Sequence, residues 1–108
     1  VIVEVERLVP YTRTMLASPL ERHQPSGALV PRSVEEIQGV LAICNKYRIP
    51  VWPISTGRNY GYGAAAPATA GQMVLGLRKL NRILEVDAEL GTALVAPGVS
   101  YMQLSEYL

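Results

Sequence analysis

The chain has 108 residues, enough for one small domain that buries about two-thirds of the surface its unfolded form exposes. Hydrophobic residues make up 49% and charged residues 18%, an ordinary globular balance that argues against disorder. A net charge of +1 with no basic run leaves no footprint for a nucleic-acid backbone; a single cysteine allows no internal disulfide, and one cysteine with one histidine argues against an all-protein zinc site.

No apolar stretch approaches the ~20 residues needed to cross a bilayer, so no membrane segment is expected. The start, Val1 to Val5, lacks Met and alternates with Glu4 and Glu6, unlike a signal peptide. The end, Tyr107-Leu108, stops inside a helical pattern. Both ends read as cut, which makes the chain part of a longer protein and leaves its compartment, cytoplasmic or periplasmic, open.

Residues 1–27, broken by Pro10, Pro19 and Pro25, read as an N-terminal extension with at most a short helix around Tyr11–Leu16. A clearer pattern begins with the apolar strand Ala28-Leu29-Val30. Ser33 then precedes Val34-Glu35-Glu36, the Ser-x-x-Glu signature of a capping box. Ile37, Val40, Leu41 and Cys44 follow as one apolar helical stripe, Lys46 and Arg48 suit the negative end of the helix dipole, and Pro50 stops the helix. Val51-Trp52-Pro53-Ile54 is the next strand. Strand, helix and strand within residues 28–54 fit a right-handed parallel βαβ unit, with Pro53 at a strand end or an edge because it cannot donate to a ladder.

After a long loop, Met73-Val74-Leu75 and Ile83-Leu84-Glu85-Val86 read as strands. Asp87 to Gly91 has turn composition, and Thr92-Ala93-Leu94-Val95 closes a hairpin. Pro97-Gly98 turns the chain, and Ser100-x-x-Gln103 caps a last helix. The fold class is therefore α/β (α+β), a βαβ unit plus a β-hairpin.

The loop after the second strand, Ser55 to Pro67, carries Gly57, Gly61 and Gly63. Glycine admits positive φ and close approach of a ligand to the main chain, and successive N–H groups can form a nest for an anion such as pyrophosphate. Ser55, Thr56 and Asn59 add side-chain donors. The spacing matches neither the Rossmann fingerprint nor a P-loop, and no helix follows, so a nest here would work without a helix dipole. The alternative is a long surface loop whose glycines only serve turns.

The run Trp52-Pro53-Ile54-Ser55-Thr56-Gly57-Arg58-Asn59-Tyr60-Gly61-Tyr62-Gly63, with Ala65-Ala66-Pro67, resembles the flavin pyrophosphate loop of the 4-phenol-oxidising flavoenzymes, the vanillyl-alcohol oxidase and p-cresol methylhydroxylase family. The likeness extends through Leu80-Asn81-Arg82-Ile83-Leu84-Glu85-Val86 and Pro97-Gly98-Val99, and back to Pro31–Ile37. It covers about residues 28–108, which it implies are the first part of a PCMH-type FAD-binding domain. A second half and a substrate-covering cap domain would lie downstream. The cofactor implied is FAD, with Pro53, Ile54, Ser55, Thr56, Gly57, Arg58 and Asn59 around its diphosphate, Gly61, Tyr62 and Gly63 continuing toward the flavin, and Gly98 and Val99 near the adenosine half. Tyr62 matches a tyrosine that hydrogen-bonds the phenolic oxygen of the substrate. A hydroxyl aimed at developing phenolate charge stabilises it as oxyanion donors do.

The resemblance implies an FAD-dependent oxidoreductase acting on para-substituted phenols, by hydride transfer from the benzylic carbon through a quinone methide. It leaves room for a homodimer and a cytochrome electron acceptor. The given residues alone would supply part of the FAD site and show no turnover. Two rivals stand beside it, an FAD-linked 2-hydroxy-acid dehydrogenase and a non-catalytic flavin-binding module. The Gly-Tyr-Gly-Ala-Ala-Ala-Pro run speaks against the first.

Three positions depart from the family pattern. Gly76 stands where many relatives carry Asp, Ala96 where Glu is frequent, and Tyr62 nearest the histidine by which the berberine-bridge branch bonds FAD covalently, which excludes that linkage here. His23 reads as a solvated loop histidine, the alternative being a place close to the cofactor, where some relatives of the family have a histidine; Cys44 reads as core, and Lys79 and Arg82 as a solvated face. Arg58 suits either the diphosphate or a downstream carboxylate.

Overall fold

The computed structural model describes residues 1–58 and 64–108, with Val5 and Leu20 by main chain alone. Three parallel strands form one sheet: β1 (Gly27–Leu29), β2 (Val51–Ile54) and β3 (Met73–Gly76), in the order β1-β3-β2. Strands β1 and β2 are parallel as expected, yet they are not neighbours, because β3 lies between them and pairs with both. Composition explains the insertion. Val74 and Leu75 are buried, so β3 is apolar on both faces, as a central parallel strand must be. Pro53 lacks an N–H and sits on the edge strand, where none is needed.

Residues 1–27 do not form the expected helix around Tyr11–Leu16. The helix is earlier, α1 (Val5–Leu8), and runs into a 3₁₀ turn over Val9–Tyr11, with a second 3₁₀ turn over Leu20–His23. Pro10 is accommodated at the start of the first turn, where its missing N–H costs nothing. The Thr12 N–H and hydroxyl both donate back to the Val9 carbonyl, at 3.2 and 2.8 Å, and close it. This segment enters the core. Leu8 and Tyr11 cluster with Ala28 and Val74, and Ile2 and Ile54 pack against them. Each large apolar side chain buried this way contributes about 1.5–3 kcal/mol before entropy is counted. Ile2 and Ala28 also exchange two main-chain hydrogen bonds of 2.8 Å.

Helix α2 (Val34–Tyr47) starts at Ser33, whose hydroxyl accepts the Glu36 N–H. The reciprocal half of the expected capping box is displaced by one residue, since the Glu36 carboxylate accepts the N–H of Arg32 at 2.6 Å. The stripe is also only partly covered: Cys44 is buried, Ile37 and Val40 are half-buried, and Leu41 is exposed. At the other end Arg48 takes a left-handed conformation, φ 54°, and the Ile49 N–H closes on the Cys44 carbonyl at 2.8 Å.

Strands β4 (Ile83–Asp87) and β5 (Thr92–Val95) form the expected antiparallel hairpin, with a bulge between Ile83 and Glu85. The Asp87 side chain accepts the N–H groups of Glu89 and Leu90, both at 2.9 Å, and Gly91 supplies the positive φ of 63° that completes the turn. Helix α3 (Tyr101–Tyr107) follows, with a complete Ser100–Gln103 capping box. Among the described residues no helix is long and apolar enough to cross a membrane.

Arg48 carries the cost of a left-handed Cβ, roughly 1–2 kcal/mol, at an exposed helix end. Arg48→Gly is expected to exceed Arg48→Ala in stability by about 1 kcal/mol, both having lost the charge. Denaturant unfolding of the two variants measures the difference, and equal stability would contradict the left-handed cap.

Candidate cofactor site

Strand β2 delivers the chain at its carboxyl end into a cleft of about 540 Å³, the end of a parallel sheet where ligands commonly bind. Strand β2 and the glycine loop contribute residues 52–58 and Ala64 to its walls, and the chain around the start of α3 contributes Val99–Met102. The two walls are stitched at the loop entrance by the Ser55 hydroxyl, which donates to the Pro97 carbonyl oxygen. That hydroxyl, expected as an additional donor for an anion, is therefore committed within the protein.

The main chain beyond it is not. Among the described residues, the N–H groups of Ser55, Thr56, Gly57 and Arg58 find no acceptor. Gly57 turns the chain with φ +73°, and a Cβ placed on it would lie 2.9 Å from the Cβ of Ala65. Glycine is thus required twice at this position, for conformation and for space. The chain returns through Ala64, itself at φ 47°, into the buried run Ala65-Ala66-Pro67, whose small side chains let the two strands of the loop approach. Consecutive unpartnered amide donors at the mouth of a cleft suit a diphosphate. Arg58 lines the same wall with its side chain exposed and has no ion-pair partner among the described residues.

The sequence runs that are distant in the chain meet here because of the hairpin. The Gly98 N–H donates to the Leu80 carbonyl at 2.8 Å, and a Cβ on Gly98 would lie 2.5 Å from the Leu77 oxygen and 2.8 Å from that of Leu80. Gly98 is therefore packed against the 77–80 turn, one residue behind the cleft wall that Val99 lines. Asn59, Gly61, Tyr62 and Gly63 lie outside the described residues.

Residues 25–108 match the family described as FAD binding domain. The chain belongs to that family. FAD is its cofactor, and amide donors that find no acceptor among the described residues, at positions 55–58, are chemically suited to a diphosphate. This FAD-binding domain is 48% identical over its whole length to the 4-cresol dehydrogenase [hydroxylating] flavoprotein subunit of Pseudomonas putida, covering 21% of that protein. It is 40% identical over 77% of its length to glycolate oxidase subunit GlcD of Bacillus subtilis, covering 17% of it. Its backbone matches a crystal structure of p-cresol methylhydroxylase with substrate bound at TM-score 0.91 and 48% identity, over 98% of this chain and 21% of that one. The chain thus spans about a fifth of the length of these relatives, and the expected PCMH-type fold is borne out.

Sequence reasoning missed Trp52, Ala64 and residues 100–102 as cleft-lining groups. The capping signature at Ser100 located the start of α3, but only the hairpin's closure brings that start against the glycine loop. It also misjudged His23, which is buried and hydrogen-bonded rather than solvated. Cys44 is buried, and Lys79 and Arg82 are exposed, as expected.

If main-chain donors hold the diphosphate, Gly57→Ala in the intact protein should cost far more FAD than Arg58→Ala. Flavin content after gel filtration checks this. Loss of flavin on Arg58→Ala with retention on Gly57→Ala would assign the anion to the guanidinium instead.

Proposed function

We propose that the intact protein is an FAD-dependent oxidoreductase of para-substituted phenols. The observation that carries this reading is the 48% identity to a 4-cresol dehydrogenase flavoprotein subunit, over an alignment that covers the whole chain. The fold agreement with substrate-bound p-cresol methylhydroxylase supports it. The likeness to the glycolate oxidase subunit is lower and covers 83 residues, so a 2-hydroxy-acid dehydrogenase is the second reading.

In the first reading the phenol loses its proton and the benzylic carbon loses a hydride, which leaves a quinone methide that water can trap. FAD, when bound, supplies the hydride acceptor. Residues 55–58 bind and orient the diphosphate, and the Gly57–Ala65 contact sets how closely the main chain can approach it. Tyr62, outside the described residues, is the proposed donor to the phenolic oxygen. The relative's designation as a subunit supports a second protein partner, for which a cytochrome electron acceptor is proposed. Residues 1–108 by themselves hold part of the FAD site and are proposed to be inactive alone.

Stopped-flow flavin reduction with 4-cresol or 4-ethylphenol against glycolate or D-lactate separates the two readings. Rapid reduction by the phenols alone is expected, and reduction by the hydroxy acids alone would reverse the assignment. A charge-assisted hydrogen bond is worth roughly 1.5–3 kcal/mol, so Tyr62→Phe should lower kcat/KM for para-alkylphenols about ten- to a hundredfold. FAD content should stay near wild type, and phenols already ionised by electron-withdrawing groups should lose less. An equal loss for every substrate, or loss of bound FAD, would make Tyr62 a packing residue.

A further inference from the structure

His23 is 7% exposed, and burying an imidazole is costly unless its nitrogens are bonded. Both are. Nδ1 lies 2.9 Å from the Pro67 carbonyl oxygen and Nε2 lies 3.1 Å from the Ser18 hydroxyl. A carbonyl oxygen can only accept, so Nδ1 carries the proton, and in the neutral ring Nε2 accepts from Ser18. The imidazole is therefore a strut of fixed direction, running from the 18–23 segment to the exit of the glycine loop, 44 residues away in sequence.

What it holds at that exit bears on the cofactor. Pro67 is fully buried, and the Ala66 N–H beside it donates to the Arg13 carbonyl at 3.1 Å. Ala65, one residue further back, is the group on which Gly57 rests, with no room for a methyl between them. A displacement of Pro67 is thus transmitted through Ala65 to the amide donors around Gly57. At the loop entrance Ser55 performs the matching task against Pro97.

We propose that His23 is a positioning residue for FAD: its Nδ1–H fixes the exit of the glycine loop, and through Ala65 the placement of the donors at residues 55–58. This rests on the reading that those donors hold the FAD diphosphate. The N-terminal segment is then a working part of the cofactor site, although His23 does not line the cleft.

The test uses the intact protein and measures the FAD dissociation constant by flavin fluorescence, with the melting temperature of the apoprotein recorded alongside. An Asn amide nitrogen overlays Nδ1 of a histidine, whereas that of Gln overlays Nε2. His23→Asn should keep the bond to Pro67 and bind FAD within about twofold of wild type, while His23→Gln should bind about tenfold more weakly, the scale of one net hydrogen bond. Ser18→Ala leaves Nδ1–H in place and should also stay within about twofold. A purely packing role would move Asn and Gln together, so equal affinities for these two variants would overturn the proposal. If His23→Gln gives no folded protein, His23→Asn and Ser18→Ala decide: near-wild-type affinity in both supports the strut, and a tenfold loss in either removes it. Gly57→Ala is the control for the underlying reading. If it binds FAD as wild type does, the loop is not the diphosphate site; if it loses FAD while His23→Gln does not, only the role of His23 fails.

Discussion

The contact between Gly57 and Ala65 governs the site. A diphosphate held by main-chain amides needs the backbone itself at the cleft surface, its N–H groups turned outward and left without protein acceptors. That demands a positive φ, which Gly57 supplies at +73°, and a returning strand with side chains no larger than a methyl, which Ala65 and Ala66 supply. Unpartnered amides would be expensive in a closed core, but at the mouth of an open cleft water or a ligand satisfies them. The loop therefore keeps its donors available without destabilising the domain below it.

That domain is arranged to hold the loop's two ends. Strand β3, apolar on both faces, occupies the middle of the sheet and forces β2 to the edge, where Pro53 is harmless and the carboxyl end opens into the cleft. The hairpin then brings the 97–100 turn back across the entrance, where Ser55 meets Pro97, while Gly98 sits so tightly against Leu77 and Leu80 that no side chain fits. The N-terminal segment secures the exit through His23 and Arg13. Entrance and exit are thus tied to different parts of the chain, and the Ser55 and His23 ties both end on the carbonyl of a proline, Pro97 and Pro67.

Much of this was legible in the residues. Ser33, Pro50 and the stripe ending at Cys44 located α2; Asp87 to Gly91 located the hairpin turn; and the Trp52–Pro67 run, by resemblance, pointed to FAD. These are local signals, carried by capping, turn chemistry and periodicity. What escaped was non-local. Nothing near Met73 says that its strand inserts between the other two, although the all-apolar Val74-Leu75 pair is the trace of it. The N-terminal helix was misplaced because its placement is set by Leu8 and Tyr11 entering the core, not by propensity. His23 looked solvated because its partners, Ser18 and above all Pro67, are chosen by tertiary packing.

We infer that main-chain N–H groups presented by the Gly57 turn hold the FAD diphosphate. A crystal structure of the intact protein with FAD tests it most directly. Diphosphate oxygens should lie within about 2.7–3.2 Å of amide nitrogens in residues 55–58, the ordinary range for N–H···O bonds. A diphosphate bound instead by lysine or arginine side chains, with those amides facing water, would contradict it.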